Sequence, residues 1–359
     1  MKKPFVPAAL IPLALLLFSC GTTGPASGTN ASGGKAPLWV DNPQDAYPDS
    51  DWLYAVETGK DRNATESAAL TSLVQLFGVD AQAVTMSSQD LVNKVQRSNG
   101  KETSETAEIR RLSQDLTTIA AVSGLIDVQR DVWTDRQDNT VYASARMNRA
   151  EGAVRYKALI EENEALINNL KASAEKTAGT FDAYETLSLA AGVADLTDNF
   201  YTILGVLQPK AAAQRPAYGS ADAIRALLRE QAALIVVRVE VSGDVDSRIS
   251  KAFASIFSKR GFRTAAAPGA APALKPYTLK ADMKLEDVQA TDPRYKFTRF
   301  VLTASLMSQN GAELLSWSEN DREGHPLQQE ARQRAILQAE MIITESGFAK
   351  EFDAYLDSL

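Results

Sequence analysis

Residues 177–204 read TAGTFDAYETLSLAAGVADLTDNFYTIL, and this stretch decides the architecture that the sequence predicts for the whole chain. Glycine commonly ends a helix, so Gly179 is expected to end one here, and the hydroxyl of Thr180 is suited to cap the helix that follows. Apolar residues recur at helical spacing on both sides of this pair and form two stripes. The stripes consist of Val154, Leu159, Leu166, Leu170 and Ala174, and then of Phe181, Tyr184, Leu187, Leu196, Phe200 and Leu204. This pattern predicts a long antiparallel helical hairpin over residues 149–207.

Residues 37–148, ahead of the hairpin, predict a small domain of sheet plus helix. Residues 52–56, WLYAV, form an aromatic and β-branched run that is typical of a strand. A helix is expected next, because Asn63 and Glu66 have the spacing of a capping box. Apolar residues then follow three and four apart as far as Gly78, which predicts one buried helical face.

The sequence pattern predicts a β-hairpin at the end of this domain. Strand-forming runs occupy residues 125–128, 130–133 and 141–143, and Asp138-Asn139 supplies turn chemistry between the last two. Residues 79–125 carry mixed signals for extended and helical structure, so their structure stays open.

A second sheet-plus-helix domain is predicted for residues 220–359, after a linker rich in proline and alanine at 208–219. Ser220 is expected to cap a helix that reaches Leu228. The nearly continuous apolar run at 233–239 is typical of a central strand.

In the remainder of this second domain, the sequence predicts one more helix, a β-hairpin and a closing helix. Residues 246–260 have one apolar helical face, and Asn310-Gly311 is a strong signal for a tight turn. Pro326 is suited to the first position of the last helix. Strict alternation predicts the strands that contain Tyr277, Leu279, Ala281, Met283 and Leu285, and then Phe300, Leu302, Ala304 and Leu306. The predicted fold class is therefore α+β, with two small sheet-plus-helix domains joined by the hairpin.

Composition limits the classes of function. The chain has 359 residues, of which 45 % are apolar, and its formal charge is −7, so it supports real cores and lacks the basic surface of a nucleic-acid binder. Cys20 is the only cysteine, so no internal disulfide forms. Multi-cysteine zinc sites and cysteine nucleophiles are excluded with it, because an acylated thiol is unavailable for such chemistry. No cofactor-binding motif is present either.

The first residues have the pattern of an export signal. Lys2 and Lys3 precede a short apolar run at 5–18, which is too short to span a bilayer comfortably. The run ends in LFSC at 17–20, which resembles a bacterial lipobox. This resemblance implies that residues 1–19 are removed and that Cys20 is acylated, with palmitate among the chains, and anchors the mature protein. The alternative is an ordinary signal peptide cut nearby, with Cys20 incidental.

The residues after the expected cleavage site predict a tether. Residues 20–36 are rich in Gly, Ser, Thr, Ala and Pro, a composition typical of a flexible linker. Gly21 is not the aspartate that retains enteric lipoproteins at the inner membrane, so the outer membrane is the expected destination. Whether the body faces the periplasm or the outside stays open.

The domain at 37–148 resembles the LPP-twenty family of bacterial lipoproteins. The residues that carry this resemblance are Pro37, Trp39, Trp52, Leu53, Tyr54, Ala55, Gly59, the stretch ESAAL at 66–70, Val132, Trp133 and the stretch VYASARM at 141–147. Through the strand at 234–241, the helix at 246–260 and Gly261-Phe262, the second domain is similar to the small α/β module at the N-terminus of TolB and in flagellar-assembly lipoproteins. These resemblances imply an envelope protein that contacts other envelope components, and they supply no catalytic residues.

Few residues in the sequence suggest a site. His325 is the only histidine, and it is expected to be a polar cap residue before Pro326, because no nucleophile motif accompanies it. Asp244 and Asp246 lack the ligand spacing of a calcium loop and predict a solvated turn. No metal ligands or catalytic residues are therefore assigned.

An aromatic group near the tether is the candidate partner surface. It comprises Trp39, Trp52 and Tyr54, together with Tyr47, and such residues either line a binding surface or form the edge of a core. The sequence thus predicts a non-enzymatic envelope lipoprotein that binds or assembles with unidentified envelope proteins or peptidoglycan. A ligand- or glycan-binding receptor is the main alternative, and a hydrolase is a weaker one.

Overall fold

A computed structural model describes residues 31–32, 35–78, 89, 91–93, 125–212, 216–265, 275–289 and 294–359. Cys20 and the expected signal lie outside these residues, as does most of the stretch at 79–125 whose structure the sequence leaves open. Within the described residues, no helix is both long and apolar enough to cross a membrane.

The first sheet has four strands in the order β1-β3-β4-β2. Strand β1 pairs in parallel with β3, and the other pairs are antiparallel. The elements of this part are β1 (Ala31–Ser32), α1 (Leu38–Asp41), α2 (Pro43–Ala46), β2 (Trp52–Gly59), α3 (Arg62–Leu76), β3 (Gln129–Thr134) and β4 (Val141–Asn148).

Three expectations for this part need correction. The helix cap is Asp61 rather than Asn63, because the Asp61 carboxylate accepts the N–H of Ala64 at 2.8 Å and the chain is already helical at Arg62. Residues 125–128 form no strand, since Asp127 has a φ of 58° that breaks the extended backbone. Ala31–Ser32, within the expected tether, pairs with the edge of β3.

The predicted helical hairpin is present as α4 (Arg149–Lys176) and α5 (Phe181–Leu207). Gly179 has a φ of 81°, a backbone conformation that suits glycine, and the Thr180 hydroxyl accepts the N–H of Ala183 at 3.2 Å. Val154 is the one member of the expected stripes that points outward, with 72 % exposure, because Ala153 and Tyr156 hold the buried positions of that turn.

The second sheet has five strands in the order β6-β5-β7-β8-β9. Strands β6, β5 and β7 are parallel, and β7, β8 and β9 are antiparallel. The elements after the hairpin are α6 (Pro209–Ala212), α7 (Ala221–Leu234), β5 (Val236–Ser242), α8 (Arg248–Lys259), β6 (Arg263–Ala265), β7 (Tyr277–Val288), β8 (Lys296–Met307), β9 (Glu313–His325), α9 (Gln328–Met341), a π-helical turn (Ile342–Ser346) and α10 (Phe348–Asp357). The α+β class is confirmed, whereas the domain boundaries stay a prediction.

Alternation along the strands places one apolar face of the second sheet against α8, α9 and α10. This core includes Phe253 of α8, Ala335 of α9 and Phe352 of α10, each fully buried. The predicted buried residues of β7 and β8 lie on the same face, with Leu285 only half-buried.

Two helix limits in the second domain differ from the sequence predictions. Helix α7 runs to Leu234 rather than Leu228, so the strand that follows begins only at Val236. The last helix begins at Gln328, and Leu327 is its N-cap residue. Pro326 therefore lies before the helix and not at its first position.

The closing helix is also interrupted at Gly347. A Cβ on Gly347 would lie 2.7 Å from the Trp317 ring and 2.8 Å from the carbonyl oxygen of Ile342, so only glycine allows this close approach. The π-helical turn at Ile342–Ser346 lies directly before this glycine, and α10 begins directly after it.

Asp244 has a structural role that the sequence did not predict. Its two carboxylate oxygens accept the N–H groups of Ile249 and Ser250 at 2.9 and 3.0 Å, which satisfies the open amino end of α8. The residues lie in a turn, as expected, with Asp246 exposed, and Asp244 is in addition a helix cap.

We expect Asp244→Ala to lower the free energy of unfolding by about 1–2 kcal/mol, because the two N–H groups lose their acceptors. Urea denaturation of the purified protein measures this change. Asp246→Asn is the matched control, since it neutralises an exposed carboxylate of the same loop that makes no cap. Equal stability of the two variants would contradict the capping role.

Candidate functional site

A groove of about 210 Å³ lies where the tip of the helical hairpin meets α7. Its walls are largely apolar, and they come from α4, the hairpin loop, α5 and α7. The residues that form the walls are Ala174, Ala178, Leu187, Leu227, Gln231 and Leu234. The groove therefore exists only because α7 packs beside the hairpin.

Two aspartates of α5 hold α7 in this position. One oxygen of Asp198 accepts the Tyr218 hydroxyl at 2.5 Å, and the other accepts the N–H of Ala221 at 3.0 Å. One turn earlier, Asp195 pairs with Arg225 of α7. These contacts fix the amino-terminal half of α7 against the hairpin.

The ionisation of these groups is consistent with their partial burial. Burial raises the pKa of the Asp195 carboxyl, and the nearby Arg225 guanidinium opposes the shift. Burial and the hydrogen bond to Asp198 both raise the pKa of the Tyr218 phenol, which therefore stays a hydrogen-bond donor at neutral pH.

Gln231 is a buried polar residue beside the groove. Its side chain is only 6 % exposed, and its Nε2 has no hydrogen-bond partner within the described part of the chain. Buried polar groups are nearly always paired, because an unpaired donor retains the cost of its lost hydration. Gln231 therefore keeps an unpaired donor that is buried from solvent beside the groove.

The rim of the groove carries charges that are not paired with one another. Glu175 and Glu230 are exposed and Lys171 is half-exposed. No ion pair joins any of these three to another described residue. The rim thus offers two carboxylates and one ammonium group to an approaching molecule.

The structure brings the predicted aromatic residues together in a separate cluster. Trp39 is buried at 8 % exposure beside Tyr47 and Trp133, whereas Trp52 and Tyr54 are half-buried. The Tyr47 ring lies 6.0 Å from that of Trp52 and 5.5 Å from that of Tyr54. Trp39 is therefore a core residue, and only the other two members of the candidate partner surface remain partly accessible.

Arg146 braces this aromatic cluster from the sheet. Its guanidinium lies 4.9 Å from the centre of the Tyr47 ring, donates to the Tyr47 hydroxyl at 2.9 Å and pairs with Asp131. The Nε1 of Trp133 has no hydrogen-bond partner within the described ranges. The cluster is thus held by tilted ring contacts and by the Arg146 guanidinium, which lies over the Tyr47 and Trp52 rings.

The structure places His325 against the neighbouring backbone. The Nδ1 of His325, at the end of β9, accepts the N–H of Leu327 at 3.2 Å. Among the described residues, no group of three or more His, Cys, Asp or Glu side chains is placed to hold a metal ion. Cys20 lies outside the described residues, so its acylation stays a prediction.

The sequence reasoning missed the groove and Gln231. One signal was available, because Gln231 follows Ile224 by seven residues and so falls on the apolar stripe of α7 that includes Leu227 and Leu228. A glutamine on that face is expected to be buried, and a buried amide donor without a partner retains the cost of its lost hydration.

We expect Gln231→Leu to raise the free energy of unfolding by about 1–2 kcal/mol, because a similar apolar side chain removes the unpaired buried donor. Thermal and urea denaturation measure the change. Gln333→Leu, at an exposed position of α9, serves as the control and should stay within about 0.5 kcal/mol of the parent protein. A loss of stability in Gln231→Leu would mean that the amide is satisfied within the fold.

Comparisons with known proteins give no assignment. No protein-family model matches the chain and no curated protein matches it, so the resemblances to the LPP-twenty family and the TolB-type module stay predictions. A minor lipoprotein of Acinetobacter baumannii is similar in structure at 11 % identity and a TM-score of 0.25, over 34 % of this chain and 90 % of that protein. A secreted protein of Helicobacter pylori is similar at 13 % identity and a TM-score of 0.34, over 82 % of this chain and 98 % of that protein. Both TM-scores lie below 0.5, and neither similarity establishes a shared fold or function.

Proposed function

We propose that the protein is a membrane-anchored envelope lipoprotein that binds or assembles with other envelope components and carries out no catalysis. The observation that carries this proposal is Cys20, which is the only cysteine and closes a signal-like apolar run with the residues LFSC. A cysteine committed to acylation provides an anchor rather than a reactive thiol.

The chemistry of the described residues supports a binding role. A general base needs a nucleophile and an orienting partner, and the hydrogen bond of His325 to the adjacent backbone serves neither. The buried phenols are further from ionisation than usual, since burial raises the pKa of Tyr184 and of Tyr277. Such groups stabilise cores and do not exchange protons near neutral pH.

The partners in this proposal follow from the anchor and the body. The acyl chains on Cys20 bind the lipid bilayer, and the absence of aspartate at Gly21 favours the outer membrane as the site of anchoring. Envelope proteins or peptidoglycan are the candidate partners of the folded domains. Nucleic acid is not, because the chain is acidic overall.

A ligand-binding receptor lipoprotein is the second candidate, and the groove beside α7 favours it. The walls of this groove are largely apolar, which suits an apolar part of a bound molecule. A glycan platform is favoured less, since Trp39 is buried and only Trp52 and Tyr54 remain partly exposed.

We expect Cys20→Ser to leave the protein off the membrane, in an uncleaved or soluble form, because serine offers no thiol for acylation. Fractionation of the cells and mass spectrometry of the N-terminus measure this outcome. The control is Ser19→Ala, which keeps a small residue before the cysteine and should still give an acylated protein. Membrane-bound and normally processed Cys20→Ser protein would overturn the anchor.

A further inference from the structure

Strand β9 is the outermost strand of the second sheet, and one edge of its backbone pairs with no other described strand. The strand has 13 residues, from Glu313 to His325. A free edge of this kind presents N–H and C=O groups with which an extended peptide can pair as an additional strand. The edge therefore selects an extended backbone in a partner.

Two N–H groups of β9 are directed toward this free edge. The N–H of Asn320 donates to the carboxylate of the preceding Glu319 at 3.2 Å, and the N–H of Arg322 donates to that of Asp321 at 2.8 Å. Both bonds are exposed contacts between neighbouring residues. The carbonyl groups of an added strand can take the place of the two carboxylates without breaking a bond to β8.

On the sheet face away from the helices, two arginines lie directly opposite each other. The register pairs Arg322 of β9 with Arg299 of β8, and both side chains are exposed. Glu286 of β7 lies opposite Arg299 in the same row, but the Arg299 guanidinium donates to Asn320 of β9 at 3.1 Å. Like charges at opposite positions repel, so an acidic side chain on the outer side of Arg322 would stabilise this row.

The alternate residues of β9 carry the opposite charge on the other face of the sheet. Asp321 lies opposite Phe300, which is buried in the core beneath the helices, and Glu319 and Glu323 share that face. No ion pair joins Arg322 or any of these three acids to another residue within the described ranges. The edge thus offers one cation on one face and three carboxylates on the other.

This charge pattern excludes a second copy of the chain as the added strand. Two β9 strands that pair antiparallel keep their faces, so Arg322 of both copies would share one face and the acids of both copies would share the other. Like charges directly opposite each other are destabilising. The complementary strand is therefore acidic where β9 is basic and basic where β9 is acidic.

We propose that the free edge of β9 binds an extended segment of a partner protein, in which an acidic residue opposite Arg322 is flanked by basic residues. The carbonyl groups of the segment accept the N–H groups of Asn320 and Arg322, and its basic side chains pair with the carboxylates that these N–H groups release. The inference rests on the proposed binding role and names the chemistry of the partner. It does not depend on acylation of Cys20.

The test is a calorimetric titration of the purified full chain, in phosphatidylcholine nanodiscs, with the acetylated and amidated heptapeptide Lys-Thr-Lys-Glu-Lys-Thr-Lys. This sequence reads the same in both directions, so it serves parallel and antiparallel pairing alike. The peptide Lys-Lys-Thr-Glu-Thr-Lys-Lys has the same composition without the alternation and should bind at least 5-fold more weakly. Proline in place of both threonines removes backbone donors and should weaken binding by a similar factor.

A charge exchange locates the binding on β9. Arg322→Glu should weaken binding of the first peptide about 5-fold, the effect of one cross-strand charge pair, and a peptide with lysine at its centre should restore it. Arg334→Glu, an equal change of charge at an exposed position of α9, is the control and should not respond to the central residue. Hydrogen exchange at the Asn320 and Arg322 amides should slow when the first peptide binds.

Four results would overturn the proposal. Equal binding of the alternating, rearranged and proline peptides would show that no strand with this charge pattern is added. Failure of the lysine-centred peptide to restore binding to Arg322→Glu would place the peptide elsewhere, as would unchanged exchange at the two amides. A dimer of the chain alone that Arg322→Glu disrupts would make a second copy the occupant. Absence of peptide binding with normal acylation of Cys20 would remove the β9 site and leave the membrane anchor unaffected.

Discussion

The arrangement of the two domains depends on the contacts that the Phe181 side chain makes. This residue is the first of α5 and so belongs to the hairpin, yet it is 1 % exposed and lies in the core of the second domain. Its ring centre is 4.1 Å from that of Tyr277 and 5.5 Å from that of Phe352. Its N–H, which has no partner within the helix, donates to the Tyr277 hydroxyl at 3.2 Å. The helical hairpin therefore contributes residues to the cores of both domains.

This shared helix also explains where the groove forms. Phe200 and Leu204 place the carboxyl-terminal half of α5 in the first core, while Phe181 places its start in the second. Gln309, in the turn after β8, donates to the carbonyl of Gly179 at 3.2 Å and so fastens the hairpin loop itself. With both ends of α5 fixed, and with α7 held along it, the groove has preorganised walls. Preorganisation reduces the ordering that binding would otherwise require.

The sequence predicted the parts of this fold whose signals are local. The Gly179-Thr180 pair and the apolar stripe of α5 were sufficient for the hairpin, and alternation was sufficient for β7 and β8. The predictions were wrong where residues outside the local sequence pattern determined the limits of a helix. Asp61 rather than Asn63 caps α3, and the closing helix is interrupted at Gly347, where any side chain would meet the Trp317 ring. The groove was beyond local reasoning, because residues from 171 to 234 reach it through the packing of separate elements.

The most direct test of this account is a distance measurement between spin labels on the hairpin and on the second sheet. Exposed Lys157 of α4 and Lys280 of β7 are suitable sites for cysteine labels in a Cys20→Ser background. Phe181→Ala and Phe200→Ala each remove a fully buried ring, and each should lower stability by about 3–5 kcal/mol. The account predicts that only Phe181→Ala broadens the distance distribution between the two labels. A distribution that stays equally narrow in both variants would contradict the role of Phe181 in joining the domains.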